Sequence, residues 1–338
     1  MQWHLPISIK KPDSFIAYGQ RILLVGSCFT EHIGDGLDEL KFDVLQNPHG
    51  ILFGPDAVCR AIHSYIEDKR YSSDDLFYFQ ECWHSWDHHS RFSMTERESS
   101  LSAINASQQK AHAFIKTADW LIITLGSSFC YKLTTLADKA GYPLHHSVAN
   151  CHRAPQQWFQ KELLSVEEIV ESLRTAFTAF YNLRPQARIV VTISPVRHSR
   201  DGAVENNRSK ARLFEALQQL EEQKFPFYYF PAYELVIDVL RDYRFFDIDL
   251  VHPNYAATSF VLEQFMENCV SADTRELSGQ IKKIVTAMRH RPRQPQTQLH
   301  RQFLSQQLAL AQSLQKQYPQ LDLHLEIAFF TAALHENN

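Results

Sequence analysis

The sequence predicts an α/β protein, a doubly wound three-layer α/β/α sandwich built on a parallel sheet. Three observations predict it. Apolar runs of strand length stand at 21–25, 120–125, 187–193 and 225–230. The stretches between them carry apolar residues at helical spacing and are long enough for crossover connections. The first three runs each stop at a small residue: Gly26, Gly126 and Ser194. Sheets of this kind hold their sites outside the carboxyl ends of the strands. That rule alone selects Ser27/Cys28, Asn47–Gly50, Gly126–Ser128 and Ser194–His198 as rim residues.

Bulk properties narrow the class. The chain has 338 residues, 44% apolar and 21% charged, enough to bury a sizeable core in one large domain with an appendage or in two domains. A net charge of −4 gives no electrostatic reason for a nucleic-acid or anionic-membrane partner. No apolar run approaches the roughly 18 residues that span a bilayer. The stretch Met1–Pro6 has no basic region followed by an apolar segment, so a cytoplasmic protein is expected. The six cysteines (28, 59, 82, 130, 151, 269) form no C-x-x-C pair and read as reduced thiols. Seventeen histidines make a pH-sensitive or metal role worth testing. However, His84, His88, His89 and His152 lack the spacing and acidic partner of a zinc motif, so neither metal nor cofactor is expected.

Taken in order, residues 1–20 form a polar lead-in with Pro6 and Pro12. The first strand, Arg21–Val25, ends at Gly26, and a helix is predicted from about Thr30 to Leu40. A short apolar run, Phe42–Leu45, is closed by the turn Gln46–Gly50. Pro55–Ile66 has helical spacing. An aromatic-rich insertion at about 71–97 reads as a hairpin or ordered loop, packed over the core or carrying His88 or His89 toward a site. A helix over 98–117 leads into Trp120–Leu125. The stretch from Ser127 to about 164, which holds His145-His146 and Asn150–Arg153, reads as loop. Ser165–Glu168 is a capping box that opens a helix with Ile169, Leu173 and Phe177 on one face. After Ala187–Ile193 comes a polar loop, Arg197–Gly202, then a helix over 204–222 with Leu213, Leu217 and Leu220 inward. Pro253 fits the first position of the next helix. Residues 271–338 form a helical extension with two apolar stripes, able to pack on the core or on a second subunit as a homo-oligomer. The division is therefore a lead-in (1–20), a main domain (21–270) and a C-terminal extension (271–338).

The chemistry concentrates in two places. Ser27 and Cys28 are nucleophile-capable residues where a strand gives way to a helix. Asp249 and His252 stand three apart in a loop. An Asp so placed can accept from His Nδ1–H and turn Nε2 outward, the tautomer a general base needs.

The order of these motifs resembles the GSCFA family within the SGNH/GDSL-like hydrolase superfamily. Gly26-Ser27-Cys28-Phe29 carries the resemblance, with Thr30 where the signature has Ala; Ser194–His198 and Val148–His152 also match. The resemblance covers roughly 20–265. It implies a flavodoxin-like sheet and an esterase or acylhydrolase that cleaves an acyl ester, a carbohydrate ester among the candidates, through an acyl-enzyme. Acyltransfer by the same Cys/Ser-His-Asp site, or a non-catalytic binding protein of that fold, are the alternatives. It implies Asp249 and His252 as orienter and base. An ungapped alignment puts Cys28 at the nucleophile position; Ser27 acts only if the turn is one residue shorter. The oxyanion hole is expected from the N–H groups of Cys28 and Gly50, with Ser127, Asn150 or Asn47 in place of the family's side-chain donor. Arg197 and His198 are expected to bind substrate, as are His89 and His152.

Overall fold

The computed structural model describes residues 5, 7–140 and 147–336. Met1–His4, Pro6 and the His145-His146 pair lie outside the described residues. Five strands form the main sheet: β1 (Arg21–Gly26), β2 (Asp43–Gln46), β5 (Trp120–Leu125), β9 (Arg188–Ile193) and β10 (Tyr228–Tyr229). All pairings are parallel and the order is β10-β9-β5-β1-β2. Counting only these strands, that is 2-1-3-4-5, the flavodoxin-like order.

Side-chain alternation along β1 builds both faces. Leu23 and Val25 join a core with α2 (Pro55–Glu67), α3 (Arg97–Ile115), α4 (Val166–Leu183) and α5 (Gly202–Glu222). Ile22 and Leu24 join the opposite core with α1 (Cys28–Glu39), the short α6 (Ala232–Glu234) and α7 (Tyr255–Cys269). The sandwich therefore has three layers.

The insertion is a hairpin, β3 (Phe77–Phe79) and β4 (Cys82–His84), antiparallel as the aromatic pattern suggests. The stretch after Ser128, expected to be loop, holds a second small sheet: β6 (Phe129–Leu133), β7 (Ser147–Val148) and β8 (Phe159–Leu163), ordered β7-β6-β8. Phe77 and Trp86 stack at 3.7 Å and bury themselves against Leu133 and Val148, so the two insertions share one core. His49 ties them to the main sheet. Its Nδ1 and Nε2 lie 2.8 and 3.1 Å from the hydroxyls of Tyr65 and Tyr71, and its ring stacks on His88 at 4.1 Å.

The C-terminal region contains three helices, one more than the two stripes suggested: α8 (Ala272–Arg289), α9 (Gln298–Gln317) and α10 (His324–Glu336). Their apolar faces close on one another around Ile281, Ile284, Leu314 and Phe330. Tyr18 joins this bundle to the main domain, donating to the Leu40 carbonyl at 2.7 Å and meeting Ser278 Oγ at 2.9 Å. Lys41 and the buried Glu326 pair at 2.6 Å across the same seam. Among the described residues no helix is long and apolar enough to cross a membrane.

Candidate active site

The turn from β1 into α1 is held by its neighbours. Gly26 has φ +149°, and a Cβ there would lie 2.2 Å from the Thr124 carbonyl oxygen, so a side chain cannot fit. Gly26 N–H donates to Asn47 Oδ1 at 2.9 Å, and Ser27 N–H donates to the Thr124 carbonyl at 3.1 Å. Ser27 is the N-cap of α1, but its hydroxyl caps nothing. It is 1% exposed and its Oγ has no hydrogen-bond partner among the described residues. Cys28, the first helical residue, is partly exposed. Of the two nucleophile candidates, Cys28 is therefore the more exposed residue. Burial is the main influence raising the Cys28 thiol above its usual range, with the Glu31 charge adding to it. The N–H groups of Phe29 and Cys28, and the Lys210 charge, act in the opposite sense.

One oxyanion assignment, the Gly50 N–H, needs correction, and the other candidates already hold partners of their own. Gly50 N–H closes a turn onto the Asn47 carbonyl at 2.7 Å, so it is not available to a ligand. Gly50 instead makes room: at φ +80°, its Cβ would lie 2.2 Å from His89 Cβ. Asn47 is fully buried, its Oδ1 taken by Gly26 N–H and its Nδ2 directed at Glu31 Oε1 at 3.4 Å. It positions the turn. Ser127 Oγ accepts from Phe129 N–H at 3.1 Å and lies 3.0 Å from Ser209 Oγ, a packing role. Asn150 Oδ1 accepts from His152 N–H at 2.8 Å and shapes its own loop. What the turn does offer is the first-turn N–H groups of α1, at Cys28 and Phe29, which meet the thiol itself.

The four expected substrate contacts divide. His152 is buried among Phe77, Trp86 and His84, and its Nε2 donates to the Ser85 carbonyl at 2.8 Å. Burial brings it down to about 4, so it is a neutral packing residue and not a substrate contact. His89 sits at the rim over Gly50, its N–H donating to the His49 carbonyl at 2.8 Å. Arg91, two residues on, donates to the Asn47 carbonyl and stands 3.8 Å from Glu31. Arg197 and His198 lie on the wall of a cavity of about 550 Å³, together with Asn206, Tyr233, Asp249 and Val251. Arg197 Nη1 donates to the Tyr243 hydroxyl at 3.0 Å, and the guanidinium lies 5.1 Å from the Phe246 ring. It has no carboxylate partner among the described residues; Asp201, in the same loop, pairs with Lys161.

Asp249 and His252 do come together. Asp249 Oδ2 lies 2.6 Å from His252 Nδ1, and Oδ1 accepts from the N–H groups of His252 (3.0 Å) and Val251 (2.9 Å). These bonds, that of the His252 N–H first, hold the exposed carboxyl at about 2. The following helix begins later than expected. Pro253, expected as its first residue, lies before it; Asn254 is the N-cap, its Oδ1 accepting from Ala257 N–H at 3.2 Å, and the first helical residue is Tyr255.

His252 and Cys28 share one sheet edge. Both α1 and α7 lie on the same face, and Gly36 of α1 abuts Leu262 of α7. The far end of α7 returns to the amino edge, where Val270 bridges Ile16. Each helix therefore starts at the carboxyl edge of the sheet. No hydrogen bond joins His252 to Ser27 or Cys28 among the described residues.

One residue of this edge went unnoticed in the sequence. Lys210, on α5, is 2% exposed, and its Nζ donates to the carbonyls of Gly126 (2.5 Å) and Ser194 (2.6 Å), just past β5 and β9. Its signal was present, because it stands three residues before Leu213 on the inward stripe of the helix.

The strand order, the glycine-gated turn and the Asp–His loop define an α/β protein with its polar groups gathered at the carboxyl edge of the sheet. The chain belongs to the GSCFA family, whose model matches residues 21–265; residues 281–336 match the C-terminal domain of GSCFA domain proteins. No curated protein matches the sequence. Among solved structures, a catalytic mutant of an acetylxylan esterase from Geobacillus stearothermophilus matches at 12% identity and a TM-score of 0.37, over 77% of this chain and 100% of its own. A carbohydrate esterase family 3 protein from Talaromyces cellulolyticus matches at 9% identity and 0.35, over 78% and 99%. An acetyl xylan esterase from the rumen bacterium Butyrivibrio proteoclasticus matches at 11% and 0.35, over 75% and 64%.

Proposed function

We propose that the protein is an SGNH-like acyl-ester hydrolase that works through a thioester on Cys28. The observation that carries this reading is the 2.6 Å Asp249–His252 pair, set at the same sheet edge as a partly exposed thiol on a helix N-terminus. In acylation the Cys28 sulfur adds to the ester carbonyl carbon. The oxyanion is received by the Cys28 and Phe29 N–H groups. The C–O bond then breaks, and the thiol's proton ends on the leaving alcohol. In deacylation, His252 Nε2, oriented by Asp249, takes a proton from water. The resulting hydroxide adds to the thioester, the C–S bond breaks with its electron pair on sulfur, and the proton held by His252 passes to sulfur, restoring thiol and base. Arg197 and His198 line the cavity beside the Asp249 loop, where a polar alcohol such as a sugar, or an anionic group on it, fits a guanidinium that has no carboxylate partner among the described residues.

The test is p-nitrophenyl acetate hydrolysis by the wild type and by Cys28→Ala, Ser27→Ala and His252→Ala. Cys28→Ala and His252→Ala should each lose on the order of 10²-fold or more in kcat/KM. Ser27→Ala should stay within about tenfold, since its enclosed hydroxyl takes no part in the chemistry. Turnover seen only when acetyl-CoA and a sugar acceptor are both supplied overturns hydrolysis in favour of acyl transfer. Unchanged rates in all three variants overturn catalysis at this edge.

A further inference from the structure

The reaction above leaves the thiol's first proton acceptor unnamed and leaves Lys210 without a task; among the described residues neither His252 nor Lys210 is hydrogen-bonded to Cys28. Lys210 is a cation on the apolar stripe of α5 with no carboxylate partner among the described residues. Two carbonyl oxygens occupy two of its N–H bonds. The remaining tetrahedral direction is an N–H in the ammonium and a lone pair in the amine. Gly126, whose carbonyl holds the amine, stands against the nucleophile turn: a Cβ on Gly126 would lie 3.4 Å from Ser27 Cβ.

The groups around Lys210 come from four elements. From α1 comes Cys28, the titratable group whose charge bears on Lys210; Glu31 and Lys210 are in turn the charges that bear on Cys28. From the loop after β9 comes His198, kept neutral at about 4 by burial first and by Lys210 second. From α6 comes the Tyr233 ring, 5.9 Å from Nζ. Ser209 and Asn206, on α5 itself, are uncharged. Burial brings Lys210 down from the ordinary lysine range to about 7. A buried amine held by the carbonyl of Gly126, the residue that abuts the nucleophile turn, and without a carboxylate partner among the described residues, is placed to exchange one proton with the thiol of that turn.

We propose that Lys210 is the base that takes the proton of Cys28, its amine aimed by the Gly126 and Ser194 carbonyls. The S–H bond breaks, its electron pair stays on sulfur as thiolate, and the proton fills the Nζ lone pair. The ammonium then spends two N–H bonds on carbonyls and one on sulfur. When the C–O bond of the ester breaks, the same proton passes to the alcohol oxygen and the amine is restored. The chain thus divides two roles that one histidine usually carries: Lys210 serves acylation and His252 serves the water.

This inference rests on Cys28 being the reacting sulfur of the proposed function, but its test uses no ester. The full-length protein is alkylated with iodoacetamide between pH 5.5 and 9.5, and the rate at Cys28 is followed by peptide mass spectrometry. Sulfur displaces iodide, and the released proton goes to Nζ. The reactive thiolate–ammonium pair holds one proton fewer than the low-pH state. Its rate should therefore rise through an inflection near pH 7 and then level off. Lys210→Met should abolish that inflection and slow alkylation at pH 7.5 by about tenfold or more. His252→Ala, a change at a half-exposed residue, should keep it. An inflection missing from the wild type, lost in His252→Ala, or retained in folded Lys210→Met overturns the proposal. If Lys210→Met does not fold, the wild-type and His252→Ala profiles decide between the two bases. Lys210-dependent alkylation in a protein inert to esters would overturn the hydrolase and leave the pair standing. Ester turnover with alkylation indifferent to Lys210 would do the reverse.

Discussion

Asp249 grips His252 twice, with Oδ2 2.6 Å from the ring Nδ1 and Oδ1 3.0 Å from the backbone N–H. One carboxylate thereby fixes both the loop and the tautomer, and Nε2 is left for chemistry. Asp249→Asn keeps the size and loses the charge, and an amide can present its NH₂ to Nδ1 and so select the wrong tautomer. Activity toward p-nitrophenyl acetate should fall roughly 10²- to 10⁴-fold in kcat with KM little changed. Because the Asp249 carboxyl is held at about 2, it stays ionised over any practical assay range, and no acid limb of the activity profile should be traceable to it. A loss of less than about threefold in Asp249→Asn would remove the pair from the mechanism.

Gly26→Ala should be among the most damaging single-methyl changes in the chain. The added Cβ would meet the Thr124 backbone oxygen at 2.2 Å, and φ +149° is strained for any side chain. Neither strand can move aside, because β1 lies between β2 and β5. The expected loss is on the order of 3 kcal/mol in urea unfolding, or failure to fold. A Gly26→Ala protein with wild-type stability would show that the turn is looser than described.

The main sheet was legible because β1, β5 and β9 are runs of apolar residues, the signature of strands covered on both faces. The sheet β6–β8 was not. Its strands Phe129–Leu133 and Phe159–Leu163 carry Lys132, Gln160, Lys161 and Glu162, and only one or two positions in each face a core. Such strands exist because Phe77 and Trp86 arrive from a distant insertion to cover them, and no local pattern records that. The nucleophile turn and the Asp–His loop were legible because each is a short segment whose chemistry is local. The oxyanion donors were not, because whether Gly50 N–H or Ser127 Oγ is free depends on hydrogen bonds that the tertiary fold decides. Lys210 lay between these cases. Its inward position could be read from Leu213, Leu217 and Leu220, but its neighbours Gly126 and Ser194 lie on other elements.

Asn47→Ala should weaken the fold and the site together. Asn47 is fully buried, and its Oδ1 is the acceptor for Gly26 N–H. Removing it leaves a buried donor unpaired, worth about 1–3 kcal/mol. Its carbonyl still receives Gly50 N–H and Arg91, so the Asn47–Gly50 turn itself should survive. Urea unfolding should report the loss, and esterase activity should fall further than stability alone explains, because the turn that carries Cys28 is no longer clamped. Equal stability in Asn47→Ala and wild type would mean that water replaces the amide.

Lys210 should also write its titration into the stability of the whole protein. In the folded chain its amine titrates at about 7, whereas exposed on unfolding it returns to 10.5. Between those values the unfolded chain binds a proton that the folded chain lacks. The slope of unfolding free energy with pH equals 2.303RT times that difference, so stability from this group rises with pH through the window, by up to about 1.4 kcal/mol per pH unit. The sign follows from the burial of a cation. Below pH 7 the fold must enclose an ammonium without a carboxylate, and above it the fold encloses a neutral amine that both carbonyls still satisfy. Urea unfolding at pH 7.0, 8.0 and 9.0 should therefore show a more positive slope in wild type than in Lys210→Met. Below pH 7 that substitution should relieve the fold of a buried charge, so its loss of stability should shrink there or change sign, set against the two carbonyl oxygens it leaves without donors. Parallel slopes in the two proteins would mean that Lys210 keeps its proton when folded, and would place its charge, rather than its lone pair, against Cys28.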